Sequence, residues 1–207
     1  ASEMDELVAA TVFLFTVCSV GGESRESCAR DPAYDVRAPL LTYDEFFVVN
    51  RTYDIGTSSS FDCEYIQKIC IRNVTHAFEV RVGARFQRKK YHNKNFILTT
   101  KEEEEGSHIH NLVQLKSLIS ERSIIAGDNE QEYKLLYANR DYHCLILNGT
   151  NGSNVEGVCE MWAAATWASK LEEECYGNFT ERCGNFSYKL YNSDCTIPAI
   201  TSEINKV

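Results

Sequence analysis

The chain has 207 residues, which is the length of one domain or of two small ones. Charged residues make up 25% and hydrophobic residues 43%, and this composition excludes a disordered tail and a bundle of membrane helices. The formal net charge of −9 argues against nucleic acid and anionic membranes as main partners. Nine cysteines beside two methionines are typical of an oxidised, disulfide-bonded protein.

The first predicted element is a secretory signal. Residues 7–20 read LVAATVFLFTVCSV, without a charge. This run is shorter than the roughly 20 residues that a membrane span needs, and small residues stand at and just beyond its end, at Ser19, Gly21 and Gly22. We therefore predict a signal peptide over 1–22 and a secreted, soluble mature protein. Asp5 and Glu6 replace the usual basic start, and a buried core segment is the alternative.

A series of short strands follows. The predicted strands, rich in aromatic and β-branched residues or alternating in polarity, are 45–53, 61–71, 76–86, 96–100, 112–119, 123–125, 132–138, 142–147 and 158–166. A short helix is the alternative for 112–119, and 87–95 is predicted to be a polar hairpin tip. Strands at intervals of 8 to 12 residues with turns between them indicate a sandwich or a barrel. Good helix formers then predict a helix over 168–176, with Ser169 as its cap.

Sequons and cysteines support secretion. The Asn-X-Ser/Thr sequons, each a predicted glycosylation site, are Asn50, Asn73, Asn148, Asn151, Asn178 and Asn185. If Cys18 leaves with the signal, eight cysteines remain, and an even number suits four disulfides. Eight cysteines allow 105 pairings, and their spacing does not choose among them.

No motif for catalysis or for a cofactor is present. The chain lacks a nucleophile elbow, a phosphate loop, a zinc-protease helix and a dinucleotide fingerprint, so we predict no catalytic residues, no cofactor and no enzyme activity. His108 and His110 would point the same way from a strand, but no third ligand lies near them, so a surface loop is favoured over a metal site. The glutamates of 102–105 are predicted to form a solvated turn.

Several short motifs together carry a family resemblance. They are Cys144-Leu-Ile-Leu, Glu160-Met-Trp162, a helical Cys175, the aromatic first strand with Phe46, Phe47 and Tyr53, the Phe61-Asp-Cys63 start of the second strand, and the near-terminal Cys195. On these residues the chain resembles the tick salivary lipocalins of the histamine-binding protein family, from about residue 43 to 195.

The resemblance implies an all-β fold. The expected architecture is an eight-stranded antiparallel barrel with a C-terminal α-helix on its wall, formed by 43–207 after an N-terminal segment at 23–42. It also implies disulfides between Cys63 and Cys195 and between Cys144 and Cys175. The remaining cysteines, which the resemblance leaves unassigned, are Cys28, Cys70, Cys159 and Cys183.

In the family pattern Glu160 and Trp162 face the cavity. Alternation along the strand then puts Cys159, Met161 and Ala163 outside. A buried carboxylate is costly unless it is paired, and a cationic amine would supply the partner, with the indole adding a cation–π contact. This favours histamine or serotonin as the ligand. The alternative is that Glu160 pairs with an internal arginine or a tyrosine hydroxyl and that Trp162 is ordinary core.

One departure from the family favours a different ligand. The amine-binding pattern has Asp after the first cysteine, and this chain has Leu145, with Leu147 on the same face. A hydrocarbon wall suits a lipid, since each buried CH₂ contributes about 0.8 kcal/mol. An eicosanoid, a fatty acid or a sterol is therefore the alternative. Aromatic residues in the strands are candidates for the wall, with ordinary core as the competing interpretation: Phe46, Phe78, Tyr133, Tyr137 and Tyr142.

The sequence therefore predicts a secreted, monomeric salivary lipocalin. It would sequester a small host mediator, a biogenic amine first and a lipid second, and so suppress host inflammation. A host immune protein bound on the outer surface is the alternative partner, although glycans at the six sequons would cover much of that surface. No nucleic acid and no membrane is expected as a partner.

Overall fold

A computed structural model describes residues 35–53, 61–73, 76–118, 130–150 and 158–200 of the chain. Within them the elements in chain order are α1 (Arg37–Thr42), β1 (Glu45–Arg51), β2 (Phe61–Asn73), β3 (Ala77–Phe86), β4 (Lys90–Glu102), β5 (His110–Ser117), β6 (Gln131–Ala138), β7 (Cys144–Gly149), β8 (Cys159–Ala164), a 3₁₀ turn (Ala168–Lys170), α2 (Glu173–Cys183) and β9 (Tyr188–Lys189). The predicted signal at 1–22, the strand at 123–125, Cys28 and Asn151 lie outside the described residues.

The strands form a closed antiparallel barrel. Each of β2 to β8 pairs with its neighbour in sequence, and β1 pairs with both β8 and β2, which closes the circle. The predicted eight-stranded barrel with one C-terminal helix is confirmed. β1 meets β2 only over 45–47, and β9 pairs with Asn50 and Arg51 beyond that point. The C-terminal segment thus completes the wall where β1 and β2 separate.

Two apolar layers stabilise the barrel. The interior cluster fills the barrel and includes Phe46, Val48, Ile66, Phe78, Val80, Leu98, Val113, Leu115, Tyr133, Leu135, Leu145, Leu147, Trp162 and Ala164. The outer cluster lies between the wall and α2 and includes Phe47, Val49, Tyr65, Ile146, Met161, Ala163 and Phe179. Neighbouring residues of one strand, such as Phe46 and Phe47, enter different clusters because side chains alternate across a strand. Both faces of β1, β7 and β8 therefore carry buried apolar residues.

The segment α1 covers one end of the barrel, which we call the closed end. Val36 and Leu40 belong to the interior cluster, and the Val36 amide donates to the His110 carbonyl at 2.8 Å. From β2, Lys68 Nζ donates to the Leu40 carbonyl at 2.8 Å. The sequence did not predict this helix, because six residues that include Pro39 are too few to show a helical period.

The hairpin of β3 and β4 is longer than predicted. Its register is unbroken up to the pair of Phe86 with Lys90, so the tip is 87–89 rather than 87–95. The polar residues from Lys90 to Asn95 were mistaken for a loop. They form a strand because backbone pairing with β3 holds them, although they extend past the apolar interior into solvent.

The C-terminal helix begins later than predicted. Ser169 lies in the 3₁₀ turn, and α2 starts at Glu173 after the extended residue Leu171. The prediction that Ser169 caps this helix is wrong. Cys175 and Phe179, one turn apart, bury the same face of α2 against the wall.

In the described residues, three disulfides anchor the C-terminal part of the chain to the barrel. The pairs are Cys63–Cys195, Cys144–Cys175 and Cys159–Cys183. The first two are the pairs that the resemblance implied, and the third joins two cysteines that it left unassigned. Among the described cysteines, Cys70 is free and exposed.

The two disulfides that differ most in loop length should differ in their contribution to stability. Cys63–Cys195 spans 132 residues and Cys159–Cys183 spans 24. In the chain-entropy description the longer loop contributes about 5 kcal/mol and the shorter about 3.5 kcal/mol. We expect Cys63→Ala/Cys195→Ala to lower the free energy of unfolding in urea more than Cys159→Ala/Cys183→Ala. Equal losses, or the reverse order, would contradict the entropic origin.

Candidate functional site

The barrel end opposite α1 carries a polar cluster, and we call this end the mouth. Here β1, β3, β5 and β7 end and β2, β4, β6 and β8 begin. Glu160 is the second residue of β8 and is only 3% exposed. Its register partners are Arg51 on β1 and Leu147 on β7, so its side chain shares the interior with Leu147. A carboxylate thus lies inside the barrel near its mouth.

Three aromatic side chains donate hydrogen bonds to the Glu160 carboxylate. Trp162 Nε1 donates to Oε2 at 2.6 Å, and Tyr133 Oη donates to Oε1 at 3.1 Å. The Tyr53 hydroxyl also donates to Oε1. Trp162 reaches Glu160 because residues two apart on a strand share a face. The tyrosine-hydroxyl alternative raised from the sequence is thus what the structure contains.

A second carboxylate and a guanidinium lie beside this site. Arg51 is 2% exposed, and its Nη1 lies 3.0 Å from Glu64 Oε2. Among the described residues, no Lys, Arg or His nitrogen lies within 4.0 Å of the Glu160 carboxylate. The mouth cluster, which we define as Arg51, Tyr53, Glu64, Tyr133, Glu160 and Trp162, therefore holds two carboxylates and one permanent cation.

Burial raises the pKa values of three side chains in the mouth cluster. The pKa of Glu64 is raised to about 7, first by burial and then by the charge of Glu160, against the attraction of Arg51. Burial and Glu160 also raise the pKa values of Tyr53 and Tyr133. Both hydroxyls therefore stay protonated and remain hydrogen-bond donors at neutral pH.

Apolar side chains continue the interior below the mouth cluster. Leu145 lies opposite Trp162, and Leu147 lies opposite Glu160, both fully buried in the interior cluster. Phe46 and Phe78 also belong to that cluster, and the ring centroid of Phe46 lies 6.4 Å from that of Trp162. At the closed end, between α1 and these strands, a cavity of about 10 Å³ has room for about one water molecule. The side chains therefore fill the closed end more than a ligand cavity would allow.

Tyr137 does not line the interior, contrary to prediction. Its hydroxyl donates to Glu174 Oε1 of α2 at 2.8 Å, and its ring packs against the outer cluster. The register of β6 shifts between Leu135 and Tyr137, so one extra residue turns Tyr137 to the outer face. Tyr142, a further candidate, packs against the interior cluster at its edge.

Arg51 and Glu64 are the functional candidates that the sequence did not reveal. Simple alternation from Val48 would turn Arg51 outward. The register of β1 shifts between Val48 and Asn50, and this bulge turns Arg51 inward. Glu64 could have been found, since it lies two residues before Ile66 on the same face of β2.

The histidines of the closed end make packing and hydrogen-bond contacts within the protein. His110 is buried, contacts Thr100 Oγ1 at 3.0 Å through Nδ1, and stacks on His76 with ring centroids 4.5 Å apart. His108 is exposed beside Glu102. In the described part of the chain, the one group of three residues close enough to share a metal includes the Cys63–Cys195 disulfide, whose sulfurs are already bonded.

The sequons differ in their surroundings. Asn185 is exposed, whereas the amide of Asn50 donates to Ser187 Oγ at 3.2 Å within the β1–β9 ladder. Asn148 and Asn178 are half-buried. Glycosylation stays a prediction at each site.

None of the helices in the described residues is long and apolar enough to cross a membrane.

A closed eight-stranded antiparallel barrel with polar groups at its mouth is the architecture of the lipocalins, a class of proteins that bind small ligands. Residues 29–197 match the family model of the tick histamine binding protein, so the chain belongs to that family. No curated protein matches the chain by sequence.

The solved structures that resemble this barrel include Japanin from Rhipicephalus appendiculatus, determined with bound cholesterol. The two chains share 11% sequence identity at a TM-score of 0.50, over 74% of this chain and 96% of Japanin. At that identity the similarity supports the fold.

The raised pKa of Glu64 should make stability depend on pH. Its ordinary value is 4.5 and its value in the folded protein is about 7, so folding takes up a proton between these values. The folded state consequently loses stability as the pH rises from about 5 to about 7. We expect Glu64→Gln to flatten this dependence in urea unfolding curves, and Glu105→Gln on the exposed acidic turn to leave it unchanged. An unaltered slope in Glu64→Gln would contradict the assignment.

Proposed function

We propose that this protein is secreted and sequesters a small cationic amine of the host, such as histamine or serotonin, inside the mouth of its barrel. The observation that carries the proposal is the buried Glu160 carboxylate, which three aromatic side chains surround and which no described cation balances. Binding without chemistry would lower the free concentration of the mediator and so reduce inflammation at the feeding site.

The charges of the mouth cluster support an amine. Above a pH of about 7, where Glu64 is mostly ionised, the carboxylates of Glu64 and Glu160 outnumber the one guanidinium of Arg51. A monocation bound at Glu160 would neutralise the remaining charge, and removal from water strengthens that attraction. The hydroxyls of Tyr53 and Tyr133 can turn aside, because each now uses Glu160 as an acceptor that the ammonium would take over.

The aromatic rings support the same ligand class. The ring centroids of Tyr133 and Trp162 lie 6.2 Å apart in an edge-on arrangement, and those of Phe46 and Trp162 lie 6.4 Å apart. Faces of aromatic rings attract a cation by about 0.5–2 kcal/mol each, depending on how far it is removed from water. An amine at Glu160 would contact these rings together with the carboxylate.

A lipid is the second candidate, and Leu145 and Leu147 favour it. They put hydrocarbon directly opposite Trp162 and Glu160, where a fatty chain or a sterol would bury apolar surface. Japanin, which shares the fold, was determined with cholesterol. The ligand would then displace side chains of the interior cluster below Leu147 and leave the Glu160 hydrogen bonds intact.

Replacing the charge of Glu160 separates these candidates. Glu160→Gln keeps the size of the side chain and removes its charge, so histamine and serotonin should bind about tenfold or more weakly than to the wild type. Isothermal titration calorimetry measures this loss directly. Glu103→Gln, an exposed carboxylate at the closed end, is the matched control and should bind amines as the wild type does.

Native mass spectrometry of the secreted protein tests the lipid alternative, because it reports the mass of any ligand that copurifies. The amine proposal fails if micromolar amine produces no heat with the wild type while a lipid copurifies and is released by mild denaturation. A lipid that binds equally to wild type and Glu160→Gln would establish the second candidate.

A further inference from the structure

Basic residues are concentrated in the hairpin of β3 and β4. Residues 81–94 hold six of the chain's 21 lysines and arginines and no Asp or Glu, although the whole chain has a net charge of −9. A local run of basic residues on an acidic chain indicates a surface for an anionic partner. No sequon lies between Asn73 and Asn148, so no predicted glycan is attached to the hairpin itself.

Four of these cations lie where the hairpin extends past the apolar interior, and we call them the basic tip: Arg88, Lys89, Lys90 and Lys94. The first three are exposed, and Lys94 is half-buried. Lys94 is opposite Val82, which packs against the interior cluster, and Lys90 is opposite Phe86 on the same face. The basic tip therefore begins at the rim of the barrel and continues into solvent.

The acidic groups near the hairpin leave most of this charge uncompensated. Asp62 and Asp194 both bind Arg85, at 2.8 Å and 3.2 Å, and Arg88 Nε lies 4.0 Å from Asp62 Oδ2. Among the described residues, none of the three lysines of the basic tip forms an ion pair. These lysines therefore give the tip a local positive potential that attracts anions.

The β3–β4 ladder fixes the spacing of the charges. The two strands pair without a break over 77–86 of β3, up to the last pair at the tip. Lys90 and Lys94 lie four residues apart on one face of β4, so their Cα atoms are about 13 Å apart. Charges spaced along a strand in this way match a linear polymer with repeated negative groups better than one small anion.

The turn at the tip holds an arginine in a costly conformation. The Lys89 amide donates to the Phe86 carbonyl at 3.0 Å, and the two residues between them, Gln87 and Arg88, have φ of 49° and 56°. Turns with positive φ at both central residues favour Asn and Gly, because other side chains are strained there. Such strain is concentrated at functional positions. A partner for the charge of Arg88 explains this residue better than the turn geometry does.

The surroundings of the basic tip favour a polysaccharide over other polyanions. The three disulfides of the described residues are typical of oxidising, extracellular compartments, where sulfated polysaccharides are the common polyanions. Residues 87–90 are all polar and exposed, so the end of the hairpin has no apolar side chain to insert into a membrane. Sulfate groups stay ionised at physiological pH, and lysine binds such groups as a point charge.

We propose that the basic tip binds a sulfated glycosaminoglycan through ion pairs between its four cations and successive sulfate groups of the polymer. The site lies outside the barrel and uses no residue of the mouth cluster, so it does not depend on which ligand the interior takes. Attachment to such a polymer would keep the protein in the tissue where it is released.

Calorimetric titration of the wild type with a heparin dodecasaccharide tests the proposal. Lys89→Gln/Lys90→Gln/Lys94→Gln removes three of the proposed contacts and should weaken binding about tenfold or more. The Kd of this variant should also depend less steeply on the NaCl concentration than the Kd of the wild type, because fewer counterions are released on binding.

A matched variant removes the same number of charges elsewhere. Lys101→Gln/Arg140→Gln/Lys170→Gln changes exposed residues at or beyond the closed-end termini of β4, β6 and β8. It should leave the Kd of the dodecasaccharide within about twofold. An equal loss in both variants would overturn the proposal, because the net charge of the chain would then explain the binding.

The choice of polymer gives further outcomes on the wild type alone. A heparin disaccharide that binds as tightly as the dodecasaccharide would overturn the contact with successive sulfates. Hyaluronan, which has carboxylates and no sulfates, would overturn the ligand class if it bound equally well. Tighter binding to phosphatidylserine vesicles would establish a membrane surface instead. Should the variant of the basic tip fail to fold, as judged by its unfolding curve, these comparisons decide.

Discussion

The barrel mouth depends on how hydrogen bonds stabilise the buried carboxylate of Glu160. Glu160 is removed from water, yet three neutral donors on three different elements converge on it: Trp162 from β8, Tyr133 from β6 and Tyr53 beyond the end of β1. Hydrogen bonds replace part of the lost hydration, but they do not supply an opposite charge. The mouth is consequently packed and polar, and the proposed amine would supply the opposite charge.

Bulges decide which polar side chains enter this site. A register shift in β1 turns Arg51 inward, and another in β6 turns Tyr137 outward to α2. Each shift exchanges the two faces of the strand beyond it, because side chains alternate with a period of two residues. The barrel therefore gains an internal cation from one irregularity and a polar contact to its outer helix from the other.

The strand pattern predicted a sandwich or a barrel, and the resemblance carried by the cysteines and the Glu160-Met-Trp162 motif implied the eight-stranded barrel. The same resemblance implied the interior position of Trp162 that the structure has. Arg51 was missed since a bulge leaves no mark in the residue pattern. The polar part of β4 was mistaken for a loop because pairing with β3, and not burial, makes it a strand. Two of the three donors to Glu160, Tyr53 and Tyr133, come from distant segments, so spacing could not identify them.

The seam between β1 and β2 has a consequence for biosynthesis. The Leu190 amide donates to the Val49 carbonyl and the Cys63 amide donates to the Leu190 carbonyl, each at 2.9 Å, so the residue that follows β9 bridges β1 and β2. Cys63 and Cys195 are 132 residues apart, so the wall can be completed and this disulfide formed only after the segment that carries Cys195 has been synthesised. Until then the apolar interior of the barrel stays exposed to water and prone to aggregation.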